Sequence, residues 1–297
     1  MPQFAYVVPK TIGQMTQHLA DYGDEAKIIA GGQSLLVLIS QGLVSPGVLV
    51  SLNEVAGLDR IVHDDSKGLE IGAAVTQTQI AASPLIREKF SGLAQAAEKV
   101  GSVHVRNLGT LSGNVCHADP AADSPPALLA LQASVKAVSV RGERTIPLDG
   151  FFRDPLESVL EPDEMLTHIL IPPASPFSNS VYLKHAARAV DRATVGVGIW
   201  WTWDPAEEKC RDIRIGLAGA GPTPLRAKQA EALAKGHRLT DEVIVEMGQM
   251  AIRECDPLSG GHAPASYRRK MVAVFVRRAL ERLAKGMNRL PREGNTR

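Results

Sequence analysis

The sequence predicts a protein of mixed helices and sheets, of the α+β class, with two domains. Over the first 170 residues, helical stretches alternate with short apolar strands, which is typical of α/β or α+β folds with a ligand between two lobes. Residues 172–176 contain three prolines and predict a rigid linker. Beyond this linker, strict apolar alternation over residues 194–204 predicts a strand of an antiparallel sheet, with one face buried.

Size and charge set the broad class of the protein. The 297 residues are enough for two domains with cores of their own, and 44% hydrophobic residues with 22% charged ones are ordinary globular values. A net charge of +1 favours neither nucleic acid nor an anionic membrane as a partner. Residues 28–53 are uncharged, but Gly, Ser, Gln and Pro interrupt them, so we expect buried structure without a transmembrane segment. The first ten residues lack a signal-peptide pattern, and we expect a cytoplasmic protein.

Cysteine and histidine spacing predicts neither a metal site nor a catalytic residue. Cys116, Cys210 and Cys255 lie far apart, so this chain cannot supply a four-thiolate iron–sulfur site, and the eight histidines show no zinc-site spacing. The neighbours Cys116 and His117 suggest a nucleophile and a base. However, no third group orients them, and we favour local packing for this pair.

The first domain is predicted from capping signals and apolar runs. Thr11 with Gln14 forms a capping box, and Gly23 ends the helix that follows it. Thr76 and Gln79 repeat this spacing. A further helix begins near Pro125, with Asp123 or Ser124 as its N-cap. The remaining predictions are helices at 12–22 and 93–100 and strands at 27–30, 48–52, 69–74, 135–140 and 165–171.

The second domain is predicted as a small antiparallel sheet followed by helices. Strands are expected at 181–184, 194–204 and 213–217, and helices at 225–235, 241–254 and 266–283. The tryptophans of this part are expected in the core or an interface. The predicted domains are 1–174, with lobes at about 1–55 and 56–174, then 177–286, with a basic tail at 287–297.

Two segments of small residues are predicted to form loops that bind a diphosphate. Gly31-Gly32-Gln33-Ser34 follows a predicted strand, and residues 109–114 read Gly-Thr-Leu-Ser-Gly-Asn. Such segments let backbone N–H groups converge on an anionic ligand. Neither matches a Rossmann fingerprint or a Walker A loop, and ordinary glycine-rich turns remain the alternative.

Residues 30–35 and 110–114 resemble the two FAD diphosphate signatures of molybdenum hydroxylase flavoprotein subunits. That family includes the medium subunit of aerobic carbon monoxide dehydrogenase and the FAD domain of xanthine dehydrogenase. The resemblance extends over nearly the whole chain, through Ala118-Asp119-Pro120 with Asp123, residues 162–166, Gly216-Leu217 with residues 223–227, and Tyr267-Arg268 with residues 277–279.

The resemblance implies a fold, a function and a set of partners. The fold is a two-lobed FAD-binding domain of the vanillyl-alcohol-oxidase/PCMH type, followed by a smaller C-terminal domain. The chain would carry FAD, take electrons from a [2Fe–2S] subunit and pass them to an external acceptor. A molybdopterin subunit would hydroxylate the substrate, in a dimer of heterotrimers. A self-sufficient flavoprotein oxidase or reductase and a scaffold without cofactor are the alternatives.

The resemblance also assigns residues to the cofactor. The diphosphate would lie against Ile28, Ile29, Ala30, Gly31, Gly32, Gln33, Ser34, Leu35, Thr110, Leu111, Ser112, Gly113 and Asn114, and further contacts would come from Val100, Asp123, Leu166 and Lys184. The residues themselves also permit Asp123 to be a simple helix cap and Lys184 to be a surface side chain.

Three positions depart from the family pattern. Gln33 replaces a common His, and Ser112 replaces a second Gly, which argues against a left-handed turn there. Arg192 replaces the Tyr that the carbon monoxide enzymes carry near the flavin, which argues weakly against carbon monoxide as the substrate of the complex.

Overall fold

A computed structural model describes residues 4–260 and 263–287 of the chain. The helices are α1 Ile12–Tyr22, α2 Leu35–Ser40, α3 Gln77–Ala82, α4 Pro84–Lys89, α5 Ser91–Lys99, α6 Val103–Leu108, α7 Leu111–Cys116, α8 Ser124–Ala130, α9 Lys228–Ala234, α10 Asp241–Arg253 and α11 Ala265–Met287. The strands are β1 Ala5–Val7, β2 Ala26–Ile29, β3 Val48–Ser51, β4 Ile61–Asp64, β5 Gly68–Gly72, β6 Ser134–Ser139, β7 Gly142–Pro147, β8 Phe152–Asp154, β9 Glu157–Ser158, β10 Met165–Ile171, β11 Ser178–His185, β12 Val195–Asp204, β13 Lys209–Ala218 and β14 Leu225–Arg226.

The chain forms two compact units that are discontinuous in sequence. Unit 1 comprises residues 4–80, 100–119 and 132–173, and unit 2 comprises residues 81–99, 120–131, 174–260 and 263–287. The domains expected from the sequence, 1–174 and 177–286, are each continuous in the chain. They therefore differ from these two units, and they stay a prediction. The expected basic tail lies outside the described residues, apart from Met287.

Unit 1 contains two larger sheets and the two-stranded antiparallel pair β8-β9. The first is parallel, with the order β1-β3-β2, and the second has the order β4-β5-β10-β6-β7 with antiparallel pairs. Thr11 and Gly23 cap α1 as predicted, because the Thr11 hydroxyl accepts from the N–H of Gln14. Thr76 and Gln79 cap each other's backbone N–H groups at the start of α3.

Unit 2 contains an antiparallel sheet of order β11-β12-β13-β14, as the mixed α+β prediction requires. Apolar residues of β12 and β13 pack with α9, α10 and α11 in one core. The start of the first of these helices was predicted wrongly, because residues 225–226 form β14 and α9 begins only at Lys228.

The prediction that β12 buries one face is wrong, because both faces are buried over its first eight residues. Gly198 and Gly216 pair directly across β12 and β13, and α8 packs against both strands. A Cβ on Gly198 would lie 2.7 Å from the backbone N of Ala127, and a Cβ on Gly216 would overlap the carbonyl oxygen of Pro126. The paired glycines therefore let the backbone of α8 lie against the second face.

A bidentate ion pair joins β7 to the segment that leads into β10. Arg144 donates from Nε to Oε1 of Glu164 (2.7 Å) and from Nη2 to Oε2 (2.8 Å), and the N–H of Glu161 donates to Oε2 (2.9 Å). Burial alone would raise the pKa of Glu164, but these donors together hold the pKa below its ordinary value.

We predict that Glu164→Gln lowers the free energy of unfolding by about 1–3 kcal/mol at neutral pH, because it removes a charged acceptor. A lowered pKa in the folded state contributes stability above the unfolded pKa of about 4.3, and this contribution is lost as the pH falls through the folded pKa. The difference in Tm between wild type and variant should therefore be largest above about pH 5 and shrink in acid.

The control is Asp163→Asn, which removes the neighbouring contact of Asp163 with the largely exposed Arg141. It should cost less than about 1 kcal/mol, because an exposed partner is screened by water. A Glu164→Gln variant whose Tm follows the wild type at every pH would contradict the assignment.

Candidate cofactor site

The first glycine segment is a tight connection between β2 and α2 in unit 1. Gly32 has φ +69°, a left-handed conformation that side chains with a Cβ rarely adopt. Gly31 lies against the backbone of α6, and a Cβ there would overlap the carbonyl oxygen of Leu108. Both glycines are therefore required by geometry, one by its φ and the other by a close approach.

The backbone of this segment presents unused donors. None of the N–H groups of residues 31–35 donates a hydrogen bond to a described residue, and all five residues are partly exposed. Gln33 turns its Nε2 onto the carbonyl of Gly31 (3.1 Å), which holds its side chain beside the segment. Consecutive free N–H groups are suited to the oxygens of a phosphate.

The second segment is helical, and the expectation of a loop at residues 109–114 is wrong. Thr110 is an N-cap, its hydroxyl accepts from the N–H of Gly113 (3.0 Å), and α7 begins at Leu111. The cap satisfies a backbone donor that a loop would leave open, which explains why this stretch is helical. Ser112 lies within α7, so it needs no left-handed conformation.

Two buried side-chain atoms of α7 have no hydrogen-bond partner in the described part of the chain. They are Oγ of Ser112 and Oδ1 of Asn114. A buried hydroxyl or amide oxygen without a hydrogen-bond partner lowers stability, unless a ligand or a water molecule supplies that partner.

Both segments are held in place by the same region of unit 1. The N–H of Leu111 donates to the carbonyl of Val75 (3.0 Å), and the carbonyl of Gly109 accepts from Gln77 (2.9 Å). Gly31 lies next to Leu108 and Gly109 in the same region. Free N–H groups, a backbone without Cβ bulk and an incompletely bonded α7 thus lie together. The free N–H groups and the hydroxyl of Ser112 are donors that fit the diphosphate of FAD, whereas Oδ1 of Asn114 is an acceptor and needs a donor.

Val100 and Leu166 belong to unit 1 but have different surroundings. The carbonyl of Val100 accepts from Nη1 of Arg106 (3.0 Å). Leu166 is buried in β10, opposite Ala137 of β6, and α7 packs against the same strand. No hydrogen bond among the described residues joins either of them to residues 31–35.

Asp123 and Lys184 form a buried ion pair in unit 2. Lys184 Nζ lies 2.8 Å from Asp123 Oδ2, and the two side chains are only 4% and 5% exposed. The ammonium also donates to the carbonyl of Lys99 at the end of α5 (2.8 Å). On the other oxygen, the hydroxyl of Tyr182 donates to Asp123 Oδ1 (2.6 Å).

These contacts decide between the alternatives left open for the two residues. Asp123 precedes α8 but makes no side-chain cap hydrogen bond, and Lys184 is not a surface side chain. Tyr182 was missed by the sequence analysis. A signal existed, because residues two apart on a strand share a face, and Tyr182 and Lys184 stand in this relation on β11.

Cys116 and possible metal ligands are the other candidates for site chemistry among the described residues. Burial raises the pKa of the Cys116 thiol to about 12, which disfavours the thiolate that a nucleophile needs. Within residues 4–260 and 263–287, no group of three or more His, Cys, Asp or Glu side chains is arranged to hold a metal ion. In the same ranges, no helix is both long and apolar enough to cross a membrane.

Two family models together match most of the chain. The model described as the FAD binding domain in molybdopterin dehydrogenase matches residues 2–174. The model described as the CO dehydrogenase flavoprotein C-terminal domain matches residues 180–283.

Individual relatives match along their whole length. The chain is 34% identical over 288 residues to the alpha subunit of the 6-hydroxypseudooxynicotine dehydrogenase complex of Paenarthrobacter nicotinovorans, covering 97% of this chain and 96% of that one. It is 30% identical to the carbon monoxide dehydrogenase medium chain of Hydrogenophaga pseudoflava, covering 94% and 96%.

Solved structures agree with these matches. A carbon monoxide dehydrogenase from Hydrogenophaga pseudoflava that lacks the Mo-pyranopterin moiety of its cofactor superposes with a TM-score of 0.92 at 31% identity, over 96% of this chain and 98% of that one. Quinoline 2-oxidoreductase from Pseudomonas putida 86 gives a TM-score of 0.89 at 28% identity, over 96% and 98%. This chain therefore belongs to the FAD-binding medium subunits of the molybdenum hydroxylases, a family of oxidoreductase subunits that includes carbon monoxide and xanthine dehydrogenases.

Proposed function

We propose that the chain carries electrons from a [2Fe–2S] subunit to an external acceptor through its bound FAD. In this proposal, a molybdopterin subunit of the same complex hydroxylates the substrate, and the complex is a dimer of heterotrimers. Flavin accepts electrons singly, releases them in pairs and gains negative charge on reduction. The protein's part is to bind the cofactor and to tune its electronics.

The main support for the proposal is the set of free backbone N–H groups in unit 1. Five consecutive N–H groups at residues 31–35 would bind the diphosphate, and the hydroxyl of Ser112 would complete its hydrogen bonding there. Gly31 and Gly32 keep this stretch of backbone open to the ligand, because neither position has room or conformation for a Cβ.

The buried pair of unit 2 would supply the electrostatic tuning. An ammonium has three donors, and Lys184 uses one on Asp123 and one on the carbonyl of Lys99. Since no third acceptor for the ammonium is found among the described residues, its third donor would serve an acceptor on the cofactor. The pair as a whole is neutral, so removing either partner should leave a net charge beside the flavin.

The first prediction of the proposed function concerns cofactor content. Gly31→Ala places a Cβ against the carbonyl of Leu108, so residues 31–35 must shift, and we expect FAD binding to be lost. The measurement is the ratio of flavin absorbance to protein after purification with the partner chains.

The matched control is Gly150→Ala, whose added methyl group meets open space. This variant should keep one FAD per chain. Wild-type protein without flavin would refute the cofactor assignment. A Gly31→Ala variant that keeps full flavin would refute the role of this backbone approach.

The second prediction concerns electron flow and tests the proposed function itself. In the purified complex, substrate should reduce the iron–sulfur centres and the flavin, whereas the complex of Gly31→Ala should reduce only the former. Rapid-mixing absorbance spectroscopy separates the two signals. Direct reduction of the flavin of the isolated chain by an organic substrate would instead favour a self-sufficient oxidase or reductase.

The third prediction concerns the flavin midpoint potential. Lys184→Met removes a positive charge, and we expect a potential lower by a few tens of millivolts, from ~1–3 kcal/mol at about 30 mV per 1.4 kcal/mol for two electrons. Asp123→Asn removes the negative charge and should shift the potential upwards. Spectroelectrochemical titration measures both.

The double variant Lys184→Met/Asp123→Asn serves as the control, because it leaves no unpaired buried charge. Lys184→Met alone should cost about 3–5 kcal/mol of stability, since Asp123 then lacks its partner. If both single variants bind FAD and keep the wild-type potential, the pair does not act on the flavin.

A further inference from the structure

The last helix of unit 2, α11, carries exposed charges of almost one sign. Its 23 residues include seven Lys or Arg side chains and one Glu. Two of the seven are engaged near the start of the helix: Arg268 is buried and donates to the carbonyl of Thr194 (2.6 Å), and Arg269 donates to Oδ1 of Asp256 (3.0 Å). The other five are exposed and form the basic face of α11: Lys270, Arg277, Arg278, Arg282 and Lys285.

The basic face occupies one side of a long, rigid element. At about 3.6 residues per turn, its five positions fall on the side of α11 away from the core of unit 2. From Lys270 to Lys285 the helix rises by about 22 Å. The side of α11 that packs in the core is formed by Val272, Val276, Ala279, Leu280 and Leu283.

Two cations of the basic face have a contact within the helix. Arg277 donates from Nε to Oε1 of Glu281 (3.1 Å), and these side chains are 55% and 37% exposed. The guanidinium of Arg278 lies over the ring of Phe275, 5.3 Å from its centroid. An exposed ion pair is screened by water, and a guanidinium has five donors. Both arginines can therefore still bind a further acceptor.

The other three cations have no partner in the part of the chain that the structure describes. Lys270, Arg282 and Lys285 make neither a hydrogen bond nor an ion pair with residues 4–260 or 263–287. Arg278 and Arg282 stand four residues apart, and Arg282 and Lys285 three residues apart. Like charges at these spacings repel each other and oppose the helix. A carboxylate between them would turn this repulsion into attraction.

The composition of the basic face favours an acidic protein segment over a lipid surface or a nucleic acid. A membrane-binding helix inserts an exposed apolar side, whereas the apolar side of α11 is packed in the core of unit 2. A phosphate backbone presents a regular row of charges, which Glu281 within the face would repel, and the net charge of the chain is only +1. A protein segment can place its carboxylates opposite the cations alone.

We propose that the basic face of α11 is a docking surface for an acidic segment of a partner subunit of the complex. Guanidinium groups bind carboxylates in a bidentate manner, and faces of opposite charge speed association and fix its register. The inference rests on the proposed assembly with partner subunits, and it adds the surface and the charge of the segment that binds there. It does not depend on the cofactor segments of unit 1.

The test is Arg282→Glu/Lys285→Glu in the complex that is co-expressed and purified with its partner chains. Mass photometry over a dilution series gives the dissociation constant of this chain from its partners, at low and at high salt. We expect binding to weaken on the order of ten-fold in about 0.05 M salt, with a much smaller difference in about 0.5 M salt, because salt screens the attraction. FAD content and Tm report whether the variant is folded.

The matched control is Lys209→Glu/Arg211→Glu on β13. It makes the same change in net charge at two exposed cations of unit 2 outside α11. This variant should keep the wild-type dissociation constant at both salt concentrations. Equal weakening in the two variants would overturn the proposal, because overall charge alone would then explain the effect. Wild-type binding by a folded α11 variant would overturn it as well.

A neutral variant covers the case in which the reversed one does not fold, since basic side chains near the end of a helix stabilise it. Arg282→Gln/Lys285→Gln removes the two charges without reversing them. The expected loss of affinity is smaller and in the same direction. Unchanged binding of this variant refutes the docking surface.

Two further outcomes are distinct. Binding of the chain to vesicles of phosphatidylserine and phosphatidylcholine that the reversal abolishes, with assembly unchanged, would assign the basic face to lipid and overturn the proposal. A wild-type chain that carries FAD but binds no partner chain would refute the proposed assembly, and this inference with it. An assembled complex that is insensitive to the reversal refutes the docking surface alone.

Discussion

The close approach of the Gly31 backbone to the carbonyl of Leu108 is the contact on which the cofactor site depends. It brings residues 31–35 next to the chain that enters α7, although the two segments are about eighty residues apart in sequence. Only a residue without a Cβ permits it. The N–H groups of one segment and the hydroxyl of the other can then serve one ligand. An ordinary glycine-rich turn would need no such approach.

A second backbone approach organises unit 2. The glycine pair of β12 and β13 lets the backbone of α8 lie directly on the sheet, and Asp123 immediately precedes that helix. The carbonyls of Pro120 and Ala121 accept from the N–H groups of Gly219 and Ala193, which ties the preceding residues to the same sheet. Asp123 is thereby held against the face of β11 that carries Tyr182 and Lys184.

The buried cluster follows the general physics of desolvated charges. Taking a carboxylate and an ammonium out of water costs several kcal/mol per ion, and only good geometry with further hydrogen bonds repays it. Both conditions are met here, because each oxygen of Asp123 has a donor and Lys184 also meets a carbonyl. Such a pair is weak evidence for stability by itself. In the proposed function, its role is to hold charge beside the flavin.

Local patterns in the sequence determined much of this protein, whereas its contacts were decided by the tertiary structure. The helix cap at Thr11, the capping box at Thr76 and the alternation of β12 predicted elements correctly, because these signals act within a few residues. The sequence did not predict three features: the second buried face of β12, the helical state of residues 111–114 and the partners of Asp123. Each depends on residues distant in the chain, and sequence spacing carries no information about which distant backbone comes close. The sequence by itself supplied the glycines, the carboxylate and the ammonium, and only folding decided what they face.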